Sequence, residues 1–208
     1  MYKISVVIPA YNEEKSICEV VSGALRHCDE VIVVDDGSSD KTAITAARCG
    51  AKVVRHEVNR GYIEALRTGF RAASGDIIVT MDGDGQHYPG DIPRLVKPII
   101  DGKADLVLGV RDKLTFSERI IAILTGLVVR VSDASTGFRA IRSNIAKRMK
   151  IRGLCTCGTF VLEAVKLGAR VSEVRIKVRP RVYGKPRMKK KHFLQMFIVL
   201  RELISFLL

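Results

Sequence analysis

The chain has no tryptophan, and aromatic residues make up only 6% of its 208 positions. Beside its most basic stretch stand only Tyr183 and Phe193, too few for the stacking platforms of nucleic-acid binding. There is no internal repeat, no low-complexity segment and no linker that divides the chain. No apolar run is long enough to cross a bilayer comfortably. The start, MYKISVVIPAYNEE, does not read as a signal peptide, because its apolar run is short and acids follow it. The five cysteines, Cys18, Cys28, Cys49, Cys155 and Cys157, lack metal-ligand spacing. They are expected to be reduced, which suits a cytoplasmic compartment.

What is present fits one globular domain. Hydrophobic residues reach 47%, enough for a real core. The net charge is +13, and much of it falls between Arg175 and Lys191. Such a cluster meets phosphorylated substrates, anionic lipid or nucleic acid, or is simply a solvated face.

The first half alternates strand and helix. Lys3–Ile8, Glu30–Val34, Lys52–Arg55 and Asp76–Met81 read as strands, and Glu13–His27, 41–49 and Gly61–Ala73 as helices. Pro89–Ile100 continues as helix and Asp105–Gly109 as strand. This alternation predicts an α/β fold with a mostly parallel, doubly wound sheet. The second half is less regular, with helices expected at Ser117–Val131 and Thr159–Leu167. A half-buried strand is expected where Val174, Ile176 and Val178 alternate with basic residues.

The most informative run is Asp76–His87, DIIVTMDGDGQH. A buried strand ends in Asp82-Gly83-Asp84-Gly85, which places two carboxylates at a strand end where glycine permits close backbone approach. Ligands of open α/β sheets bind outside the carboxyl ends of strands. Hard oxygen donors there suit Mg²⁺ or Mn²⁺ shared with substrate phosphates. An acidic turn that binds nothing is the plain alternative. Pro9–Glu13 and Asp35–Asp40 are further polar turns at strand ends, and a parallel sheet brings all three to one edge. Asp36 is read as ligand-facing and Asp40 as a helix cap.

Val7-Ile8-Pro9-Ala10-Tyr11-Asn12-Glu13-Glu14, Val33-Val34-Asp35-Asp36-Gly37-Ser38-Ser39-Asp40, Asn59-Arg60-Gly61, Asp82-Gly83-Asp84-Gly85-Gln86-His87 and Ser135-Thr136-Gly137-Phe138-Arg139 resemble the ordered motifs of family 2 glycosyltransferases. The Asp-x-Asp-x-Gln-His box and the later Arg-Val-Tyr-Gly resemble the polyprenyl-phosphate branch, in particular dolichyl-phosphate mannose synthases. The resemblance runs from about Ser5 to Arg187. It implies a Rossmann-like GT-A fold, inverting chemistry and a divalent metal, Mg²⁺ or Mn²⁺. By it, Pro9, Tyr11, Glu13, Val34 and Asp36 line the nucleotide pocket. Asp82, Gly83 and Asp84 hold the diphosphate and its metal, with Gln86 as a further ligand. Arg111 faces a donor or acceptor phosphate, and Arg181 and Arg187 flank the Tyr-Gly. Arg187 stands where the family usually has lysine. Asp112–Ser132 is shorter than its family counterpart, with Arg119 as its candidate acceptor-phosphate contact. His87 is read as a brace, and Asp133 and Glu163 as structural acids or a base for a hydroxyl acceptor.

A lipid phosphate is largely dianionic at neutral pH and attacks the anomeric carbon without a base. Asp84, Arg111 and Arg119 are therefore the residues expected to carry catalysis. The expected donor is a GDP- or UDP-hexose, with GDP-mannose favoured, and the expected acceptor a polyprenyl or dolichyl phosphate. Processive polysaccharide synthases usually carry a Gln-x-x-Arg-Trp box, which a chain without tryptophan cannot have. The domain is expected to span 1–191, with 192–208 an amphipathic C-terminal helix. Peripheral contact through 185–208 with the cytoplasmic face of a membrane follows from Lys189-Lys190-Lys191 and the apolar Phe193–Leu208. Gln195, Arg201, Glu202 and Ser205 would form a polar stripe on that helix. No nucleic-acid partner is expected, and self-association is left open.

Overall fold

The computed structural model describes residues 1–180 and 191–207. Seven strands form one sheet: β1 (Ile4–Ala10), β2 (Glu30–Asp35), β3 (Lys52–Arg55), β4 (Ile77–Thr80), β5 (Leu106–Val110), β6 (Arg139–Arg142) and β7 (Val171–Arg175), in the order β3-β2-β1-β4-β6-β5-β7. The helices are α1 (Ile17–Ala24), α2 (Thr42–Arg48), α3 (Tyr62–Ala72), α4 (Ile92–Ile100), α5 (Phe116–Gly126), α6 (Ser143–Ala146), α7 (Thr159–Lys166) and α8 (Lys191–Leu207). The mostly parallel sheet expected from the strand–helix alternation is observed. β1 pairs in parallel with both β2 and β4, and β2 with β3.

β6 runs antiparallel between β4 and β5, and the alternation gives no sign of it. The expected strand at Val174–Val178 is displaced, because β7 begins at Val171 to pair in parallel with β5.

Central strands are apolar because both faces are covered. Val6, Val7 and Ile8 of β1 and Ile77, Ile78 and Val79 of β4 have no exposed surface. Each such side chain contributes about 1.5–3 kcal/mol. One core lies under α1 and α4, through Val6, Ile8, Val79, Leu95 and Ile99. The other lies under α3, α5, α7 and α8, through Val7, Ile78, Phe70, Phe160 and Val199. α8 meets the domain with Val199 and Leu203. Gln195, expected as part of a polar stripe, is also fully buried there. The reason is local: the loop before α7 supplies hydrogen-bond partners for both ends of its amide.

The expectation of reduced thiols fails for one pair. Cys18 on α1 and Cys49 after α2 form a disulfide. Packing of α1 beside α2 brings together residues 31 apart in sequence. Cys28, Cys155 and Cys157 are free thiols. Burial, with Asp29 nearby, pushes Cys28 up to about 12. The neighbouring Cys157 thiol and burial push Cys155 well above the ordinary range, so it does not ionise at neutral pH.

Candidate active site

Parallel pairing brings the ends of β1, β2 and β4 to one edge, and hydrogen bonds lace the first two turns together. Asn12 N–H donates to Ser38 Oγ at 2.9 Å, Glu13 N–H to Thr42 Oγ1 at 2.8 Å, and Glu14 N–H to Asp40 Oδ2 at 3.2 Å. Ser39 N–H returns to Asn12 Oδ1 at 2.9 Å. Asp40 also accepts from Thr42 N–H at 2.9 Å, so it caps α2 from one residue before the formal cap position, Lys41. Pro9 and Val34 are register partners. Val34 has no exposed surface, so it supports this wall from beneath.

Asp36 turns inward. Its Oδ1 accepts from Arg60 N–H at 2.8 Å and its Oδ2 from Gly61 N–H at 2.8 Å. Oδ1 also lies 2.7 Å from His56 Nδ1, and His56 Nε2 lies 3.0 Å from Thr68 Oγ1. The carboxylate thus fixes the Asn59-Arg60-Gly61 segment at the start of α3. Tyr11 and Glu13 stand at the same edge, half-buried.

The Asp82 box follows β4. Ser16 Oγ donates to Gly83 O at 2.8 Å, and Gln86 N–H to Asp84 Oδ1 at 3.0 Å. Asp82 Oδ1 accepts from Tyr62 Oη at 3.1 Å, and Oδ2 lies 3.3 Å from His87 Nε2. Burial opposes the charge on Asp82. Hydrogen bonds from His87 and Tyr62, with the charge of Arg139, outweigh it and hold the carboxyl below its ordinary range. Burial and the Asp82 charge push the Tyr62 hydroxyl well above its ordinary range, so it remains a donor. His87 packs against the Phe138 ring, centroids 5.1 Å apart. Gln86 is tied to the chain after β7: Arg179 N–H donates to Gln86 O at 2.8 Å, and Gln86 Nε2 to Arg179 O at 3.1 Å.

The Gln86 amide and the carboxylates of Asp82 and Asp84 bring hard oxygen donors to this edge. No group of three or more His, Cys, Asp or Glu side chains able to hold a metal occurs among the described residues. A two-carboxylate site fits a divalent ion that keeps waters and shares substrate phosphates better than one caged by protein.

Arg111, at the end of β5, sits between two acids. Its Nε donates to Asp133 Oδ2 at 2.7 Å, and its Nη2 to Asp133 Oδ1 and Glu118 Oε1, each at 3.0 Å. Burial alone would lower its pKa, but these two carboxylates raise it above its ordinary range. Asp133 is fully buried and is spent on this pair and on Ser135 N–H. Arg119 is exposed on α5. Glu163 accepts the Lys150 backbone N–H. Arg181 and Arg187 lie outside the described residues. Sequence reasoning missed His56 and Tyr62, and it placed Arg139 in a motif without giving it a role. Each acts on, or near, a carboxylate remote in sequence.

The model of the family described as Glycosyl transferase family 2 matches residues 5–154. The UDP-N-acetylglucosamine–dolichyl-phosphate N-acetylglucosaminyltransferase of Methanococcus voltae is 31% identical over 212 residues, covering 84% of each chain. The dolichol-phosphate mannosyltransferase of Pyrococcus furiosus is 31% identical over 195 residues, covering 83% of this chain and 54% of its own. The chain therefore spans most of the first relative and about half of the second. Among solved structures, glucosyl-3-phosphoglycerate synthase from Mycobacterium tuberculosis, in complex with Mn²⁺, UDP-glucose and phosphoglyceric acid, superposes with a TM-score of 0.79 at 28% identity. The match covers 98% of this chain and 79% of that one. With three strand-end turns on one edge, the two-aspartate box closing it and a family match over most of its length, the chain belongs to glycosyl transferase family 2 and is a glycosyltransferase.

Proposed function

We propose that the protein transfers a hexosyl group, with inversion, from a nucleoside diphosphate sugar to a polyprenyl phosphate at a membrane surface. The observation that carries the reading is the Asp82–Gln86 box: two carboxylates and an amide oxygen at the end of β4, braced by Tyr62 and His87. Asp82, Asp84 and Gln86 hold Mg²⁺ or Mn²⁺, which when bound offsets charge on the departing diphosphate. The laced turns at Tyr11–Glu14 and Ser38–Thr42 hold the nucleoside, with Asp36 keeping the Asn59–Gly61 segment in place.

The acidic groups near the acceptor side are already committed. Asp133 and Glu118 hold Arg111, so neither is poised to act as a general base. An acceptor that needs no base, a phosphate dianion, suits this arrangement. Arg119, with Arg181 and Arg187, meets its charge. The relatives that act on dolichyl phosphate support that acceptor class.

The surface fits a peripheral position. α5 exposes Phe116 and Ile123, Leu127 stands exposed just after it, and α8 exposes Leu194, Phe197, Leu200 and Ile204. The two helices pack against each other, and Arg119 and Arg201 stand exposed on them. Apolar side chains flanked by cations suit an anionic interface. Among the described residues no helix is long and apolar enough to cross a membrane. The cytoplasmic face remains part of this proposal, although the Cys18–Cys49 disulfide removes the reduced-thiol argument for it.

A second reading takes a soluble phosphorylated acceptor, supported by the structural neighbour in complex with phosphoglyceric acid. Co-sedimentation with vesicles containing anionic lipid separates the two. Binding that weakens at high salt, and on Phe197→Asp with Ile204→Asp, is expected. A protein that stays in the supernatant at low salt favours the soluble acceptor.

GDP-mannose is the donor favoured by the resemblance, and UDP-sugars by two of the neighbours. Titrating GDP and UDP in the presence of Mn²⁺ decides the base.

A further inference from the structure

Arg139 on β6 is fully buried. Its guanidinium lies 4.3 Å from the centroid of the Phe160 ring on α7, and Nη2 donates to Thr156 Oγ1 at 3.0 Å. Nε and Nη1 are buried and make no hydrogen bond among the described residues. A buried cation without a carboxylate in direct contact is costly, so it calls for an electrostatic partner further off.

Sheet register points to that partner. Arg139 is opposite Thr80 across the β4–β6 pair. Side chains alternate along a strand, so Thr80 and Asp82 share the face on which Arg139 and Gly137 lie. Gly137, next to β6, is where the Asp82 carboxylate comes close. The buried charge therefore lies directly beneath the start of the metal box.

The far side of Arg139 is held by α8. Gln195, fully buried, accepts from Leu154 N–H at 3.0 Å and Cys155 N–H at 3.3 Å, and donates to Cys157 O at 3.0 Å. It thus clamps both sides of Thr156, the residue that holds Arg139. At Gly153, φ +127°, an added Cβ would lie 2.8 Å from Gln195 Oε1, so the loop turns tightly around this amide.

We propose that Arg139 is a positioning residue for the diphosphate site, set beneath Asp82 by Thr156, and that Gln195 of α8 fixes it through the 154–157 loop. The C-terminal helix then completes the donor site as well as presenting an apolar face. The inference rests on the reading of Asp82 as part of a metal–diphosphate site.

The test uses the full chain, with calorimetric binding of UDP and GDP in the presence of Mn²⁺ and a melting curve for each variant. Wild-type binding comes first; no binding of either nucleotide overturns the donor-site reading itself. Given that binding, Thr156→Val, which keeps size and loses one hydrogen bond, is expected to weaken it several-fold. Arg139→Met is expected to weaken it about tenfold or more, and Arg139→Lys to recover part of that loss. Gln195→Met combined with Thr156→Val is expected to cost little more than the larger single effect, because the two act through one loop. In a transfer assay the loss should fall on donor KM more than on kcat. Folded variants with wild-type affinity, no rescue by lysine, or full additivity of the double variant each overturn the proposal.

Discussion

Gly137 and Asp82 occupy one another's space: a Cβ on Gly137 would collide with the Asp82 carboxylate. The glycine before β6 therefore lets a carboxylate at the end of β4 lie against the neighbouring strand, where Tyr62 and His87 hold it. Gly137→Ala should displace Asp82 while leaving most of the core intact. Loss of Mn²⁺-dependent nucleotide binding by about tenfold or more, with only ~1–2 kcal/mol of stability lost, is expected. Unchanged binding would show that Asp82 is not part of that site.

Asp36 gives a second, separable outcome. Its carboxylate accepts from Arg60 and Gly61 N–H and faces His56. Asp36→Ala leaves the buried His56 ring and the part-buried Arg60 and Gly61 N–H groups without their acceptor, at a cost of roughly 1–3 kcal/mol. Denaturant unfolding should record that loss, and amide exchange at residues 60–63 should quicken more than in β4. Uniform acceleration across the chain would contradict a local brace.

The fold and the donor edge were legible for a common reason. Strand–helix alternation and polar turns are local signals, and parallel pairing carries three such turns to one edge. What was not legible depends on distant partners. β6 carries arginine at both ends and gives no strand signal of its own, yet it is a central strand because β4 and β5 flank it. Gln195 looks like part of a polar stripe because its period fits one, and only the folded 154–159 loop shows that it is buried. Arg111 looked available for phosphate, and its two acids lie 7 and 22 residues away in sequence. The Cys18–Cys49 pair has no spacing signature at all.

That disulfide ties α1 to the end of α2. Closing a loop of 31 residues is worth about 3–4 kcal/mol in the chain-entropy estimate. Reduction with dithiothreitol should lower the melting temperature measurably. Cys18→Ser should match the reduced wild type and lose its sensitivity to reductant. Equal melting temperatures with and without reductant would mean the bond does not form.

Asp105 supplies the pH dependence. Hydrogen bonds from Arg170 and then Arg142 outweigh its burial and hold its carboxyl well below the usual range. A depressed folded pKa contributes stability that is complete above the unfolded value and fades as pH falls toward the folded one. Asp105→Asn should therefore cost about 1–2 kcal/mol at neutral pH. The gap to wild type should narrow below about pH 4. A gap that stays constant from pH 7 to pH 2 would rule out the ionised pair as its source.

Sugar transfer is the most direct measurement of the central claim. Radiolabelled GDP-mannose, UDP-glucose and UDP-N-acetylglucosamine are each incubated with Mn²⁺ and either dolichyl phosphate or 3-phosphoglycerate, with wild type and Asp84→Ala. Label from one donor should enter the organic phase with dolichyl phosphate, and Asp84→Ala should abolish it. Label that joins only the water-soluble acceptor, or lipid labelling that survives Asp84→Ala, would contradict a metal-assisted polyprenyl-phosphate transferase.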